Sequence, residues 1–489
     1  PSSVELTRLM GTGTNLGNTM EACNNGAQFG NVFDDPLYYE TLWGQPVTTK
    51  EMIQGLKEAG FDTLRVPVAW MTNATHLGKG ENDYTISSAY LDRVETIVGW
   101  VLDEGMYVIL NDHWDGGWYG MFGSDTEATR NLAMEAYRGM WKQIAERFAD
   151  YDSHLIFEGA NEEIGARFDE DSPLYCSDST AHYLSDNERY ALANEVNQAF
   201  VDTVRASGGN NGERFLLIPG YGTNIKQTCD SRFIMPNDSA DDRLLISVHC
   251  YSPWSYCGAS SAANATKWGT KSNMEELAAE LRMMSKFTAQ GYGVVIGEYG
   301  ALPGSDGVMK DNAVMYHRFF LDCCDAYDLC PVLWDTSGFY VRKNLSFSDE
   351  GMAELYDARR RANESEDANA VKAAAAAAME AAIAEAPETF REDAITLTDD
   401  TCVAWIMWSS GDWQQSYSVG DQYDPDSISA GLIPTDAVID GSGTYTVALD
   451  FTGTESGASS SVAFSAIGIS NGEVLHPGWA VHITEMKVN

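Results

Sequence analysis

The sequence predicts a (β/α)8 barrel of the TIM type followed by a smaller all-β sandwich with jelly-roll-like topology. Two observations predict the barrel: eight short apolar runs recur between residues 12 and 334, and helical patterns separate them at spacings of about 35 to 50 residues. A third observation predicts the sandwich. Beyond residue 394 the pattern alternates and is rich in Thr, Ser, Gly and β-branched residues, as is typical of antiparallel sheets.

The predicted barrel strands span residues 12–16, 63–66, 107–111, 155–158, 215–218, 244–249, 293–297 and 331–334. The clearest helices between them span residues 49–59, 128–149 and 187–206. The first of these begins at a Thr-Thr cap and ends at Gly60. Eight alternating units of strand and helix favour a closed barrel over an open sheet.

Composition divides the chain into three segments. Residues 1–362 form the predicted catalytic barrel, residues 363–393 a helical, alanine-rich linker that Pro387 ends, and residues 394–489 the predicted sandwich. The tail holds six aromatic residues of interest: Trp405, Trp408, Trp413, Tyr417, Tyr423 and Trp479. They predict either a platform for sugar rings, as in a carbohydrate-binding module, or the packing of a small sandwich, and the sequence leaves both open.

Net charge restricts the partners of the chain. Its 489 residues carry a formal charge of −41, which repels nucleic acids and anionic membrane surfaces and favours a neutral polymer as partner. No apolar run approaches the roughly 20 residues of a membrane span. The chain starts at Pro1 without a secretory segment, as a mature form would after removal of its signal, so we expect a secreted protein. We also expect it to be a monomer.

No metal or organic cofactor is predicted for catalysis. The nine cysteines include no Cys-x-x-Cys pair of the kind that zinc sites use, and a disulfide between Cys250 and Cys257 is compatible with their spacing. The acidic run at residues 421–426 predicts either a structural calcium site in the C-terminal domain or an ordinary solvated loop.

Two predicted strands each end in a glutamate-containing segment. Residues 155–162 read LIFEGANE, and residues 294–300 read VVIGEYG. Paired carboxylates at the C-terminal ends of buried strands are what glycosidic bond cleavage requires, one as proton donor and one as nucleophile or base. Glu162 and Glu298 are therefore the candidate catalytic residues.

Other strand ends also carry polar or aromatic side chains. A single one of these residues is more often a structural hydrogen-bonding group than a catalytic one, but a complete set at one barrel mouth predicts catalysis. The set comprises Arg65, His113, Asn161, Glu162, His249, Tyr251, Glu298 and Trp334.

Seven short motifs resemble glycoside hydrolase family 5, and within it most closely the bacterial endo-β-1,4-glucanases. They are 13–21 (GTNLGNTME), 43–46 (WGQP), 64–67 (LRVP), 111–114 (NDHW), 161–162 (NE), 249–251 (HCY) and 297–300 (GEYG). The resemblance covers roughly the first 360 residues in order. The tail lies outside it.

The resemblance implies a role for each strand-end residue. Glu162 is implied as the acid/base and Glu298 as the nucleophile. Arg65 and Tyr251 hold the nucleophile, and Asn161 binds the sugar 2-hydroxyl. The remaining residues surround the cleavage subsite: His113 and His249 line it, and Trp334 forms its floor. A non-proline cis peptide between Trp334 and Asp335 is also implied.

The chain departs from the family pattern at two positions. Glu163 stands where proline often follows the acid/base glutamate, and Trp114 stands where a second histidine is common. Glu162 directly follows the asparagine, and side chains alternate at a strand end, so we expect Glu162 rather than Glu163 to face the site. We also expect Glu162 to have a raised pKa, which keeps the acid protonated.

Trp43 and Trp118 are predicted to lie over a substrate cleft, with loop packing as the alternative. A cleft open at both ends predicts an endo-acting, retaining β-1,4-glucanase that hydrolyses cellulose-like or mixed-linkage β-glucan by double displacement. Two alternatives remain: an enzyme of the same fold acting on xyloglucan or mannan, and a non-catalytic glycan-binding scaffold. The pairing of both glutamates with supporting residues disfavours the scaffold.

Overall fold

A computed structural model describes most of the N-terminal three quarters of the chain. The described residues are 1–23, 35–77, 83–168, 170, 184–258, 267–304, 307–365 and 367–390. Beyond them, only the strand segments 395–397, 403–410, 416–419, 437–439 and 462–470 are described.

Eight parallel strands close into a barrel in chain order, which confirms the predicted barrel. They are β1 Gly13–Asn15, β2 Thr63–Val66, β3 Tyr107–Asn111, β4 Leu155–Glu158, β5 Leu216–Asn224, β6 Leu244–Cys250, β7 Gly293–Tyr299 and β8 Leu329–Leu333. Every strand pair, including β8 with β1, is parallel, so all eight C-terminal ends meet at one rim.

The described helices surround the barrel and extend beyond it. They are α1 Ser3–Leu9, α2 Pro36–Leu42, α3 Lys50–Glu58, α4 Trp70–Ala74, α5 Ser88–Asp103, α6 Glu127–Arg147, α7 Asp186–Ala206, α8 Ile225–Thr228, α9 Trp254–Cys257, α10 Lys271–Arg282, α11 Ser285–Thr288, α12 Ala313–Tyr327, α13 Glu350–Ser365 and α14 Ala368–Glu385. Two 3-10 helices span Asp115–Gly123 and Gly209–Gly212, and a short antiparallel pair joins β9 Tyr340–Val341 to β10 Ser346–Phe347. None of these helices combines the length and apolarity of a membrane span.

The helices begin where the sequence provides caps. The Thr49 hydroxyl accepts a hydrogen bond from the backbone N–H of Met52 at the start of α3, and Gly60 follows this helix with a φ of 105°. At the start of α7, Ser185 and Glu188 form a reciprocal capping box. These caps set the helix bounds within one residue of the predicted ones at both positions.

The N-terminal helix closes the barrel at the end away from the strand C-termini. Leu6 and Met10 pack in one buried cluster with interior residues from the strands, among them Ile109, Leu217 and Val295. The Ser3 hydroxyl also accepts a hydrogen bond from the Gly293 N–H, where β7 begins. The interior is thus a packed apolar core below a polar rim.

The chain divides into two compact units. One comprises residues 1–263 and 276–381, and the other comprises residues 264–275 and 382–489. Most of α14 therefore belongs to the first unit, in which Ala375 and Met379 are buried and the Tyr327 hydroxyl donates to the Met379 sulfur at 3.4 Å. The predicted boundaries at 362/363 and 393/394 remain predictions, although α14 packs rather than running free as a linker would.

The tail contains two small antiparallel sheets in its described part. β11 Ile395–Leu397 pairs with β14 Ala437–Ile439, and β12 Val403–Ser410 lies between β13 Ser416–Val419 and β15 Val462–Ser470. Antiparallel pairing agrees with the predicted pattern, whereas the sandwich itself remains a prediction. The predicted strands at 444–451 and 479–488 and the acidic run at 421–426 lie outside the described residues.

The described cysteines form no disulfide. Cys250 and Cys257 are both buried and free, so the disulfide that their spacing allowed is absent. Burial raises the pKa of the Cys257 thiol to about 12, which leaves it protonated at neutral pH.

Candidate active site

The C-terminal rim of the barrel holds a pocket into which the predicted strand-end residues converge. Its lining residues are Asn18, Glu21, Trp43, His113, Trp114, Asn161, Glu162, Arg167, Glu298 and Trp334. The other predicted residues, Arg65, His249 and Tyr251, contact one or both glutamates directly. The structure therefore brings all eight strand-end residues together.

Glu298 lies near the end of β7 and is almost completely buried. Its Oε1 accepts a hydrogen bond from the guanidinium of Arg65 at 2.9 Å, and its Oε2 accepts one from the hydroxyl of Tyr251 at 2.9 Å. Both oxygens are thereby fixed in place. This carboxyl is the more rigidly held of the two candidates.

Arg65 lies at the centre of the hydrogen-bond network below the pocket. It donates to Glu158 at 2.7 Å, to Asn15 at 3.0 Å, to Asn161 at 2.8 Å and to Glu298. Burial opposes its charge, but the carboxylates of Glu158 and Glu298 outweigh burial and raise the pKa of Arg65, so the guanidinium stays charged. Glu158 is the buried counter-ion that lets a cation stand beneath the site.

Glu162 and Glu163 point in different directions. The Glu162 side chain is 31% exposed and faces the pocket, whereas the Glu163 side chain is fully buried. Glu162 Oε1 lies 2.9 Å from His249 Nδ1, and its Oε2 accepts a hydrogen bond from Arg167 at 3.3 Å. The expected choice between these neighbours agrees with this geometry.

The two candidate glutamates flank a histidine. Carboxylate oxygens of Glu162 and Glu298 and a ring nitrogen of His249 all lie within 4.8 Å of one another. His249 Nδ1 is 3.6 Å from Glu298 Oε2. Burial opposes protonation of His249, but the charges of Glu298 and Glu162 outweigh it and raise its pKa.

The expectation that Glu162 has a raised pKa is wrong. Burial acts to raise this pKa, but the hydrogen bond and charge of His249, together with the charge of Arg167, lower it below the ordinary value. Burial raises the pKa of Glu298, with His249 and Arg65 opposing it. The imidazole between the two carboxylates competes with Glu162 for the proton, so Glu298 rather than Glu162 has the raised pKa.

Three other residues form the side and floor of the pocket. The Trp334 ring stacks on His113 with 5.7 Å between centroids and 7° between planes. Burial and the nearby charges of Arg65, His249 and Arg167 hold the pKa of His113 well below its usual range, so this ring is neutral. Asn161 Oδ1 accepts from Arg65, which leaves its amide N–H groups for a ligand.

The implied cis bond between Trp334 and Asp335 is wrong, because the cis peptide in the described chain is Ser252–Pro253 and a non-proline bond ordinarily favours trans.

The two predicted cleft tryptophans have different environments. Trp43 is 38% exposed and lines the pocket as predicted. The prediction for Trp118 is wrong. Its ring is fully buried against Tyr119, with centroids 4.4 Å apart, and its Nε1 donates to Asp112. The left-handed backbone at Gly116 and Gly117 kinks the 3-10 helix Asp115–Gly123 directly before this ring, which is packed inside rather than over the cleft.

The pocket lining includes three residues that are not among the predicted site residues: Asn18, Glu21 and Arg167. Asn18 lies within the matched motif 13–21 and has a left-handed φ of 57°, so the motif offered a signal for it. Arg167 lies on a turn five residues after Glu162, outside any strand or motif, and offered none.

Comparison with known proteins decides the family. The family model for cellulase (glycosyl hydrolase family 5) matches residues 24–339, well over half of the chain. The chain belongs to glycoside hydrolase family 5. It is therefore a glycoside hydrolase, and the resemblance drawn from its motifs is confirmed.

Family 5 relatives of this chain include named endoglucanases. Endoglucanase A of Paenibacillus barcinonensis is 34% identical over 363 residues, which cover 69% of this chain and 83% of that protein. A broad-specificity endoglucanase from an uncultured bovine rumen ciliate is 31% identical, with a TM-score of 0.61 over 74% of this chain and 98% of that one. The Bacteroides ovatus xyloglucanase in complex with a XXXG heptasaccharide is 30% identical, with a TM-score of 0.62 over 74% and 77%.

Proposed function

We propose that this family 5 enzyme is an endo-acting, retaining β-1,4-glucanase that hydrolyses cellulose-like or mixed-linkage β-glucan. The observation that carries the proposal is the spacing of the two pocket glutamates, whose nearest carboxylate oxygens lie within 4.8 Å of each other. Retaining glycosidases place their carboxyl groups about 5–5.5 Å apart, whereas inverting enzymes leave room for a water between them.

In the proposed mechanism, Glu298 attacks the anomeric carbon and Glu162 gives its proton to the departing glycosidic oxygen. The covalent glycosyl-enzyme is then hydrolysed by a water that loses its proton to Glu162. Arg65 and Tyr251 hold the Glu298 carboxylate, which favours its ionised form. The proton that Glu162 needs can come from His249, whose Nδ1 lies 2.9 Å away.

Sugar binding is proposed for the residues around this pair. Asn161 directs its amide toward the pocket and would donate to the 2-hydroxyl, while Trp334 and Trp43 offer ring faces. His113 would complete the subsite as a neutral hydrogen-bonding group. Trp114, which replaces a histidine common in the family, also lines the pocket and would change the shape of one subsite.

Xyloglucan is the leading alternative substrate, because the Bacteroides ovatus relative acts on it. Mannan differs from glucan in the orientation of a single hydroxyl and is the other alternative. Reducing-sugar release from carboxymethylcellulose, mixed-linkage glucan, xyloglucan, mannan and xylan separates these candidates. A preference for xyloglucan or mannan would replace the proposed substrate, and inactivity on all five would contradict the proposed function.

Substitution of each glutamate tests the mechanism. Glu298→Ala should abolish cleavage of every substrate. Glu162→Ala should still form the glycosyl-enzyme from a dinitrophenyl cellobioside, whose leaving group needs no acid, and azide should accelerate the next step. Glu163→Ala, the neighbouring control, should gain nothing from azide. Azide rescue at Glu163 instead of Glu162 would overturn the assignment, and an α-configured first product in NMR would overturn retention.

Secretion is proposed together with this function, because an insoluble or very large polysaccharide must be met outside the cell. Fractionation of the native host, with activity followed in the culture supernatant and in the cells, tests this. Activity confined to the cells would contradict it.

A further inference from the structure

Arg167 contacts the proposed acid/base but has no place in the mechanism above. Its Nη2 donates to Glu162 Oε2 at 3.3 Å, and its side chain is 32% exposed at the pocket surface. The same guanidinium lies 3.9 Å from Glu163 Oε1 and 3.5 Å from Glu170 Oε1. One cation thus faces three carboxyl groups on the segment that follows β4.

The two oxygens of Glu162 have different partners. His249 contacts Oε1 from β6, and Arg167 contacts Oε2 from the β4 side. A glutamate carboxyl rotates freely about its last bond unless both oxygens are held. We propose that Arg167 is a positioning residue that orients Glu162 toward the departing oxygen, with Glu163 as its buried anchor. This inference rests on the acid/base role proposed for Glu162.

Glu163 is suited to anchor Arg167 from below. Its Oε2 accepts a hydrogen bond from the Asn161 backbone N–H at 3.1 Å, so the carboxyl has a fixed orientation. Its Oε1 is buried, accepts no hydrogen bond from the described residues and lies 3.9 Å from Arg167 Nη1. Proline, which often occupies this position in the family, has no carboxyl to offer. The arrangement therefore depends on the residue at which this chain departs from the family pattern.

Charge gives the contact a second consequence. The groups that face Glu162 are the cations or potential cations Arg167, His249 and Arg65 and the carboxyls Glu163 and Glu298. Arg167 favours the ionised form of Glu162, and its removal therefore favours the protonated acid. The enzyme requires protonated Glu162 for the first step, so loss of Arg167 should move the alkaline limb of the kcat/KM profile to higher pH.

The test compares Arg167→Met and Arg167→Lys with Arg232→Met. Arg232 is a matched control, because it is another half-exposed arginine that pairs with an aspartate, Asp230, at 2.9 Å. For Arg167→Met we expect kcat/KM on mixed-linkage glucan to fall roughly 10- to 100-fold, the effect of a misplaced catalytic group. The loss on a dinitrophenyl cellobioside, measured in its glycosylation step, should be several-fold smaller.

Two further readouts separate positioning from a merely structural role. Millimolar guanidinium ion should restore part of the activity of Arg167→Met and none to Arg232→Met. Arg167→Lys keeps the charge without the planar fork, so its alkaline limb should stay near that of the wild type while its rate on glucan falls less than that of Arg167→Met.

The inference would be overturned by an Arg167→Met enzyme that folds, keeps the alkaline limb of the wild-type kcat/KM profile and loses the same factor in rate on glucan and on the dinitrophenyl cellobioside. If that variant does not fold, Arg167→Lys decides. A loss of rate confined to glucan, which has the poor leaving group, supports a positioning role. No loss of rate, or an equal loss on both substrates, overturns that role. A wild-type enzyme inactive on every β-glucan would contradict the proposed function instead, so the two failures are distinguishable.

Discussion

Single residues around Arg65 show how a charged site is held within an apolar barrel. The guanidinium donates to two carboxylates and two amide oxygens, and these four acceptors come from β1, from β7 and from the end of β4. Removing one partner would leave a buried charge uncompensated, which typically costs about 3–5 kcal/mol. The arginine fork also matches these acceptors in a way that a lysine ammonium cannot. The geometry of Glu298 thus depends on Arg65, Asn15 and Glu158, which are buried and do not line the pocket.

Glu163 makes stability depend on pH. Burial raises its pKa to about 8, whereas a glutamate in the unfolded chain titrates near 4.3. Between these values the folded state binds the proton more tightly, so the contribution of Glu163 to stability is complete below about pH 4 and is lost as pH rises toward 8. Glu163→Gln removes this loss. At about 1.4 kcal/mol for each pKa unit, we expect the variant to gain several kcal/mol over wild type at pH 8, up to about 5, and nothing near pH 4.

Thermal or urea unfolding between pH 4 and 9 measures this difference. Glu195→Gln on the exposed face of α7 is the control and should follow the wild-type curve throughout. A constant offset between Glu163→Gln and wild type across this range would show that Glu163 does not change its charge there.

The residues that sequence could predict are those whose position follows from a strand. A polar side chain at the end of a buried strand can only face the rim, and this rule located residues such as His113, His249 and Glu298. Arg167 lies on a turn and Trp118 in a short 3-10 helix, and in both places the direction of the side chain depends on packing that the local pattern does not encode. The pKa order of the two glutamates failed for a similar reason, because it depends on the distance from Glu162 to His249.

At the scale of elements, the strands were predictable because they are short, apolar and buried. β2, β3 and β4 have the predicted bounds, while β5 extends to Asn224 through an irregular pairing with β6. Helices of only four or five residues, such as α4 and α8, are too short to show a periodicity. The tail offered alternation without long-range pairing information, so its strands could be expected but their order could not.

α14 supplies a prediction about an element that composition marked as a linker. Its Met379 is buried and contacts Tyr327, whereas the adjacent Glu380 is exposed. Met379→Ala should therefore destabilise the protein by about 2 kcal/mol, at the low end for a buried methionine because the site is near the surface. Glu380→Ala should stay within about 0.5 kcal/mol of wild type.

Differential scanning calorimetry of the barrel transition measures both variants. Equal melting temperatures for Met379→Ala and wild type would mean that α14 does not contribute to the barrel unit and behaves as a linker after all. A lower melting temperature in both variants would instead indicate a general effect of substitutions in this helix.

On the scale of the whole molecule, the chain joins a barrel whose proposed substrate is neutral to an acidic tail. A formal charge of −41 provides solubility and repels polyanions, and it exerts little force on an uncharged glucan. Affinity for such a polymer must come from ring stacking and hydrogen bonds instead. The barrel has Trp43, Trp114 and Trp334 for this purpose, and the tail carries its own tryptophans, including Trp408 and Trp413.

We predict that the tail adds to polymer binding. A stacked ring contributes on the order of 1 kcal/mol, so losing one should weaken binding about fivefold. The full-length Glu298→Ala protein, which cannot cleave, would be run in native gels containing mixed-linkage glucan or xyloglucan. Adding Trp408→Ala or Trp413→Ala should reduce its retardation, and ending the chain after residue 390 should reduce it at least as much. Gels without polysaccharide correct for changes in charge and size. If all three proteins bind as tightly as their parent, the tail tryptophans serve packing and the barrel binds the polymer alone.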